Sequence, residues 1–140
     1  MTRLPPVMLA IAIVALSSAC SIKSPPLDAA QTVAEQFFAA RMAGDTATAL
    51  SHYSTKRPAE TWQAHLDHIE SSLGTLLSSE LKGTEVNTVL SGRYYIFDYT
   101  TRYSGGGGAR ETLTIFNKVD EEQTTIVAHD VSADGFQPLF

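Results

Sequence analysis

Cysteine is nearly missing: one occurs in 140 residues, at position 20, so no intrachain disulfide and no cysteine-rich metal site is open to this chain. Basic residues are scarce as well, 10 Lys plus Arg against 15 Asp plus Glu, and no run of them occurs. A net charge of -5 without a clustered positive field disfavours a nucleic-acid partner. No apolar stretch reaches the roughly 20 residues a bilayer-spanning helix needs; Val7 to Leu16 is an unbroken run of ten. There is no Gly-x-Ser-x-Gly elbow, and the glycine run Gly105 to Gly108 lacks the Lys-Ser/Thr of a phosphate-binding loop. It reads as a flexible hairpin turn. Phe140 suggests the terminal aromatic of an outer-membrane barrel, but such barrels need at least about eight strands, twice what the pattern offers. The sequence implies no cofactor.

What is present begins with an address. Arg3 is the only charge among the first 22 residues, and Ser17, Ser18 and Ala19 follow the apolar run. That order is a secretory signal peptide, and a run of ten is too short to stay in the membrane. Leu16-Ser17-Ser18-Ala19-Cys20 resembles the lipobox of bacterial lipoproteins, with Ser17 where a large apolar residue is usual and Leu16 one place early. The resemblance implies a signal over residues 1–19 cut ahead of Cys20 by signal peptidase II. It also implies a palmitate-type lipid on Cys20 that holds the chain to a membrane; each buried methylene adds about 0.8 kcal/mol of affinity. Ser21, where an aspartate would retain the protein at the inner membrane, implies the outer membrane of the cell envelope, facing the periplasm. The alternative is an ordinary secretory signal with an incidental cysteine. Ser21 to Pro26 reads as a tether closed by two prolines, leaving residues 27–140 as a single domain.

From Leu27 the apolar residues recur at helical spacing: Ala30, Val33, Ala34, Phe37, Phe38 and Met42. Asp28 serves as an N-cap and Gly44 as a stop. Asp45 opens a shorter helix carrying Ala47, Leu50 and Tyr53, and Pro58 a third with Trp62, Leu66, Ile69 and Leu73, ended by Gly74. Alternation then takes over. Tyr95, Phe97, Tyr99 and Tyr103 share one face of a strand from Arg93 to Tyr103, opposite Ile96, Asp98, Thr100 and Arg102. Strands from Glu111 to Val119 and Gln123 to Val131 follow, and an earlier one lies within Leu76 to Leu90. Helices first and hairpin-linked strands after imply an α+β fold, three N-terminal helices on one face of a curved antiparallel sheet of about four strands.

Phe37, Phe38, Ala39, Gly44-Asp45, Ala49 and Tyr53 resemble the opening of the nuclear transport factor 2-like superfamily, an aromatic-rich helix, a Gly-Asp break and a short second helix. Trp62 and Gly92-Arg93-Tyr94-Tyr95 look more narrowly like its small periplasmic domains. Thr125 to His129 stands where many of those relatives carry a Trp and a Gly-Tyr pair. The resemblance implies a cone with a helix across the sheet, a carboxylate at its mouth in the enzymes, and dimerisation through the outer sheet face.

The aromatic residues form the core, and Trp62, Tyr95, Tyr99 and Tyr103 are candidates to line an apolar pocket within it. His65 and His68 have the i, i+3 spacing of a metal pair, but no third ligand is placed and a solvated helix face accounts for them. Asp98 and Arg102 read as a surface charge pair. For an isomerase or hydrolase the candidate acid–base groups are Asp130 and His129. Ile96, Arg102 and Phe116 mark the open sheet face as a homodimer or partner interface. Phe136, Leu139 and Phe140 fold back on the domain or make a small contact patch. The expected function is a lipid-anchored, non-catalytic envelope lipoprotein that binds another envelope protein or a small apolar ligand. An enzyme of the superfamily, or a periplasmic inhibitor or immunity protein, is the alternative.

Overall fold

A computed structural model describes residues 25–121 and 123–140; the signal peptide, Cys20 and residues 21–24 of the tether lie outside them. Three helices, α1 (Pro25–Met42), α2 (Thr46–Ser51) and α3 (Ala59–Leu73), precede four strands, β1 (Leu76–Val89), β2 (Gly92–Tyr103), β3 (Gly108–Lys118) and β4 (Thr124–Ser132). The strands form one antiparallel sheet in the order β1-β2-β3-β4.

Helix α1 starts at Pro25, before the expected Leu27, because a proline in the first turn forfeits no intrahelical bond. Asp28 therefore sits inside the first turn, where its charge suits the helix dipole, and does not cap it. At the other end Gly44 takes φ +71°, Gly44 N–H donates to Arg41 O at 3.1 Å and Asp45 N–H to Ala40 O at 2.9 Å, closing the helix. Asp45 then caps α2, accepting from Thr48 N–H at 3.0 Å. This cap sets the phase of a short helix so that Ala49, and not the expected Ala47, faces the core. Met42, the last residue of α1, is likewise exposed rather than on the buried stripe. The chain leaving α2 is stitched to β4, with Ser54 N–H donating to Ile126 O and Ile126 N–H to His52 O, each at 2.8 Å.

The inner face of β2 carries Tyr95, Phe97, Tyr99, Thr101 and Tyr103, and that of β3 carries Ala109, Glu111, Leu113 and Ile115, all buried. In β4 the register shifts opposite Thr114 and Ile115. The irregularity lets both Ile126 and His129 point inward and turns Asp130 outward beside Thr112. Phe37 and Phe38 of α1, Tyr53, and Trp62, Leu66 and Ile69 of α3 complete the core. β1 is different: past Leu81 nearly every residue is exposed, so the β1–β2 hairpin projects beyond the layer of helices.

A buried polar cluster as the candidate functional site

Glu111 lies on the core side of β3 with no solvent exposure. Such a charge persists only with full compensation, and four neighbours supply it. Arg41, in the last turn of α1, donates from Nη1 to Glu111 Oε2 at 2.7 Å. His129, on neighbouring β4, donates from Nε2 to the same oxygen at 2.8 Å. From β2, Thr101 donates to Oε1 at 2.8 Å, and Tyr103 makes a short hydrogen bond to Oε1 while accepting from Arg41 Nη2 at 2.8 Å. Tyr53, where the chain leaves α2, donates to His129 Nδ1 at 2.7 Å.

The electrostatics assign the protons. Burial pushes the Glu111 carboxyl up, but the Arg41 charge and the bonds from His129 and Tyr103 outweigh it and hold the group far below the usual carboxylate range. For His129, burial dominates and lowers its pKa despite the adjacent carboxylate, so the ring is neutral. An ionised carboxylate only accepts, so the His129 proton sits on Nε2 and leaves Nδ1 to accept from the Tyr53 phenol. Burial raises the pKa of that phenol well above its ordinary value. The line Glu111–His129–Tyr53 orders a base behind a hydroxyl, as in nucleophilic catalysis. Here the hydroxyl is buried and points at the imidazole. All four lone-pair sites of the carboxylate and both ring nitrogens are occupied.

Aromatic groups seal the cluster. The ring of Phe37 meets His129 edge-on at 5.4 Å, and Tyr53 stacks on Trp62 at 4.1 Å. Two shallow clefts approach from outside. One, of about 120 Å³, reaches Arg41 between the helices and the start of β1; the other, of about 190 Å³, is walled by Leu50, Tyr53, Arg57, Pro58 and Trp62. The Arg57 guanidinium lies over the rings of Trp62 and Phe140, at 4.7 and 4.4 Å.

Of the residues expected at a site, His129 and Tyr103 belong to the cluster and Trp62 to its seal. Tyr95 and Tyr99 lie elsewhere on the inner face, so the four aromatic candidates do not gather in one pocket. The Tyr95 and Tyr99 hydroxyls are buried without a hydrogen-bond partner among the described residues, and burial lifts the Tyr99 phenol to about 12. Asp130 is exposed on the outer face, which removes it as a carboxylate of the domain interior. Asp98 is bound by Arg110 at 2.9 Å and Thr112 at 2.6 Å, not by Arg102; cross-strand neighbours are closer than residues four apart along one strand, about 13 Å away. Ile96 and Phe116 are half-buried and Arg102 exposed on that same outer face, where Tyr94 packs on Phe116 at 4.6 Å.

His65 is fully buried against His129 at 4.9 Å, not beside His68. His68 instead meets Gln137 O at 2.7 Å and the ring of Phe136. Among the described residues no three His, Cys, Asp or Glu side chains are grouped to hold a metal ion. Phe136 is buried and Phe140 packs on His65 and Trp62, so the tail folds back, while Leu139 stays exposed. Sequence reasoning missed Glu111, Arg41 and Thr101. The signal was there in parity: Glu111 alternates with Leu113 and Ile115, and Arg41 stands four residues after Phe37 on the same helix face.

No protein-family model matches the chain, and no curated protein matches it. Its fold is similar to part of the solved structure of Bd1075 from Bdellovibrio bacteriovorus, with a TM-score of 0.51 at 11% identity over 76% of this chain. The chain spans 40% of the length of that protein, and the likeness is one of fold alone.

Proposed function

We propose that this domain is a non-catalytic binding module of the bacterial envelope, held to a membrane by a lipid on Cys20. Its order of three helices and a four-stranded antiparallel sheet supports placement in the nuclear transport factor 2-like superfamily. The observation that carries the binding reading is the saturated cluster: Glu111 and His129 have every polar atom engaged, so neither of them offers an acid or a base to a substrate. The cleft walled by Leu50, Tyr53, Arg57, Pro58 and Trp62 offers apolar and aromatic surface with one cation at its edge. That suits a small apolar ligand, or the apolar side chain of a partner protein, carrying a negative group.

The probe is anilinonaphthalene sulfonate, an aromatic anion. Wild-type protein binds it saturably with increased fluorescence, and Leu50→Glu weakens binding at least about tenfold, a loss near 1.4 kcal/mol, with unchanged circular dichroism. Equal affinity in the folded variant overturns the cleft. The anchor has its own test, metabolic labelling with a palmitate analogue, which marks the wild type; label persisting in Cys20→Ser removes it.

The enzymatic reading has one observation in its favour, the Glu111–His129–Tyr53 line. It requires Tyr53 to leave His129 and the Trp62 stack, because the imidazole has no other route to a substrate.

A further inference from the structure

We propose that the tip of the β1–β2 hairpin, with Leu90 at its apex, rests in the interface of the bilayer that holds the Cys20 lipid. The inference rests on the anchored reading and adds to it a second, protein-borne contact with the same lipid surface. Of the eight large apolar residues exposed among the described residues, four crowd this one end: Val86, Val89, Leu90 and Val119. Leu90 is wholly exposed. Val119 N–H donates to Ser91 O at 3.0 Å, which joins the β3–β4 turn to the hairpin tip and sets Val119 at the same end as Leu90. Arg93, Asp120 and the Lys118–Glu121 pair stand at this same end of the sheet, and the turn residues Leu90 and Ser91 carry no charge.

The orientation follows from contacts along α1. Phe38 packs on Tyr99 at 4.4 Å, and Arg41 reaches Tyr103. Later residues of α1 thus meet later residues of β2, and the two elements run in the same sense. Their N-terminal ends lie on the same side of the molecule, so the start of α1 at Pro25 shares a side with Leu90. Between Cys20 and Pro25 the chain can extend at most about 18 Å. A lipid on Cys20 therefore holds that side, and no other, against the bilayer. Exposed leucine and valine at the apex of a tight hairpin, with charges of both signs at the same end, match an interface with apolar chains beneath and polar headgroups around.

The test uses the full chain made in a bacterial host, carrying Leu90→Trp, in vesicles of phosphatidylethanolamine and phosphatidylglycerol with brominated acyl chains. Trp62, buried and stacked on Tyr53, is the internal reference in the unsubstituted protein. Expected is a blue-shifted emission from the added tryptophan and loss of most of it to bromine, with Trp62 emission unchanged. Emission that stays red and unquenched overturns the proposal. So does a blue shift that needs no vesicles and grows with protein concentration, which assigns the tip to a second copy. The mass of the N-terminal peptide reads the anchor separately. Lipid on Cys20 without quenching leaves the anchor standing and removes the tip; quenching without lipid does the reverse.

Discussion

At Glu111 the local rule of alternation and the global cost of a buried charge meet on one side chain. β3 turns it inward with Leu113 and Ile115, and it stays ionised because Arg41, His129, Thr101 and Tyr103 surround it. Removing one member of such a set costs more than removing an ion pair outright, because the abandoned partners stay desolvated. Glu111→Ala is expected to destabilise the protein by about 3–5 kcal/mol in urea unfolding of the full chain. The double variant Arg41→Met, Glu111→Leu recovers part of that loss, since it leaves no buried cation. If the double variant is no more stable than the single one, Arg41 is not the partner that matters.

At the scale of elements, glycines fix how the helical layer hands over to the sheet. Gly74 ends α3 at φ +93°, and a Cβ there would press on the Ser104 hydroxyl and lie 2.8 Å from Gly105 N. Backbone on that side cannot give way, because Gly105 N–H donates to Leu73 O at 3.0 Å and Ser104 N–H to Thr75 O at 2.9 Å. Gly74→Ala is therefore expected to cost more than the roughly 1 kcal/mol of an ordinary left-handed glycine position, read as a lowered melting temperature; Gly106→Ala, with nothing near its Cβ, costs less. These elements were legible from the sequence because their signals are local: the cap at Asp45, the proline at Pro58 just ahead of α3, stops at Gly44 and Gly74, alternation in β2. What was not legible was set by pairing between distant segments. The register shift against Thr114 and Ile115 reverses the phase of β4, which puts His129 inside and Asp130 out. No local pattern in Thr124 to Ser132 encodes that shift. For the same reason Asp98 finds its partners, Arg110 and Thr112, on the next strand and not on its own.

For the whole molecule, three helices and a curved four-stranded sheet close over one buried polar cluster. Its imidazoles give that a pH signature. Burial lowers the pKa of His65 from an ordinary 6.5 to about 4, with the nearby His129 and Arg41 adding to the effect, and it lowers that of His129 as well. Both rings stay neutral in the folded chain and take up protons when it unfolds. Stability is thus complete above about pH 6.5 and falls as pH drops below it, by about 1.4 kcal/mol per pH unit for each ring within its window. Glu111 adds to the loss below the ordinary carboxylate range, because its folded pKa is depressed. The most direct measurement is nitrogen-15 NMR of the histidine rings in the intact protein. In a closed core His129 is the neutral Nε2–H tautomer, slow to exchange with water, and it stays neutral at pH values where an ordinary imidazole has taken up its proton. An imidazole that protonates near neutrality, or whose Nε2 proton exchanges as fast as that of an exposed ring, would contradict a closed core and return His129 to the role of an acid or base.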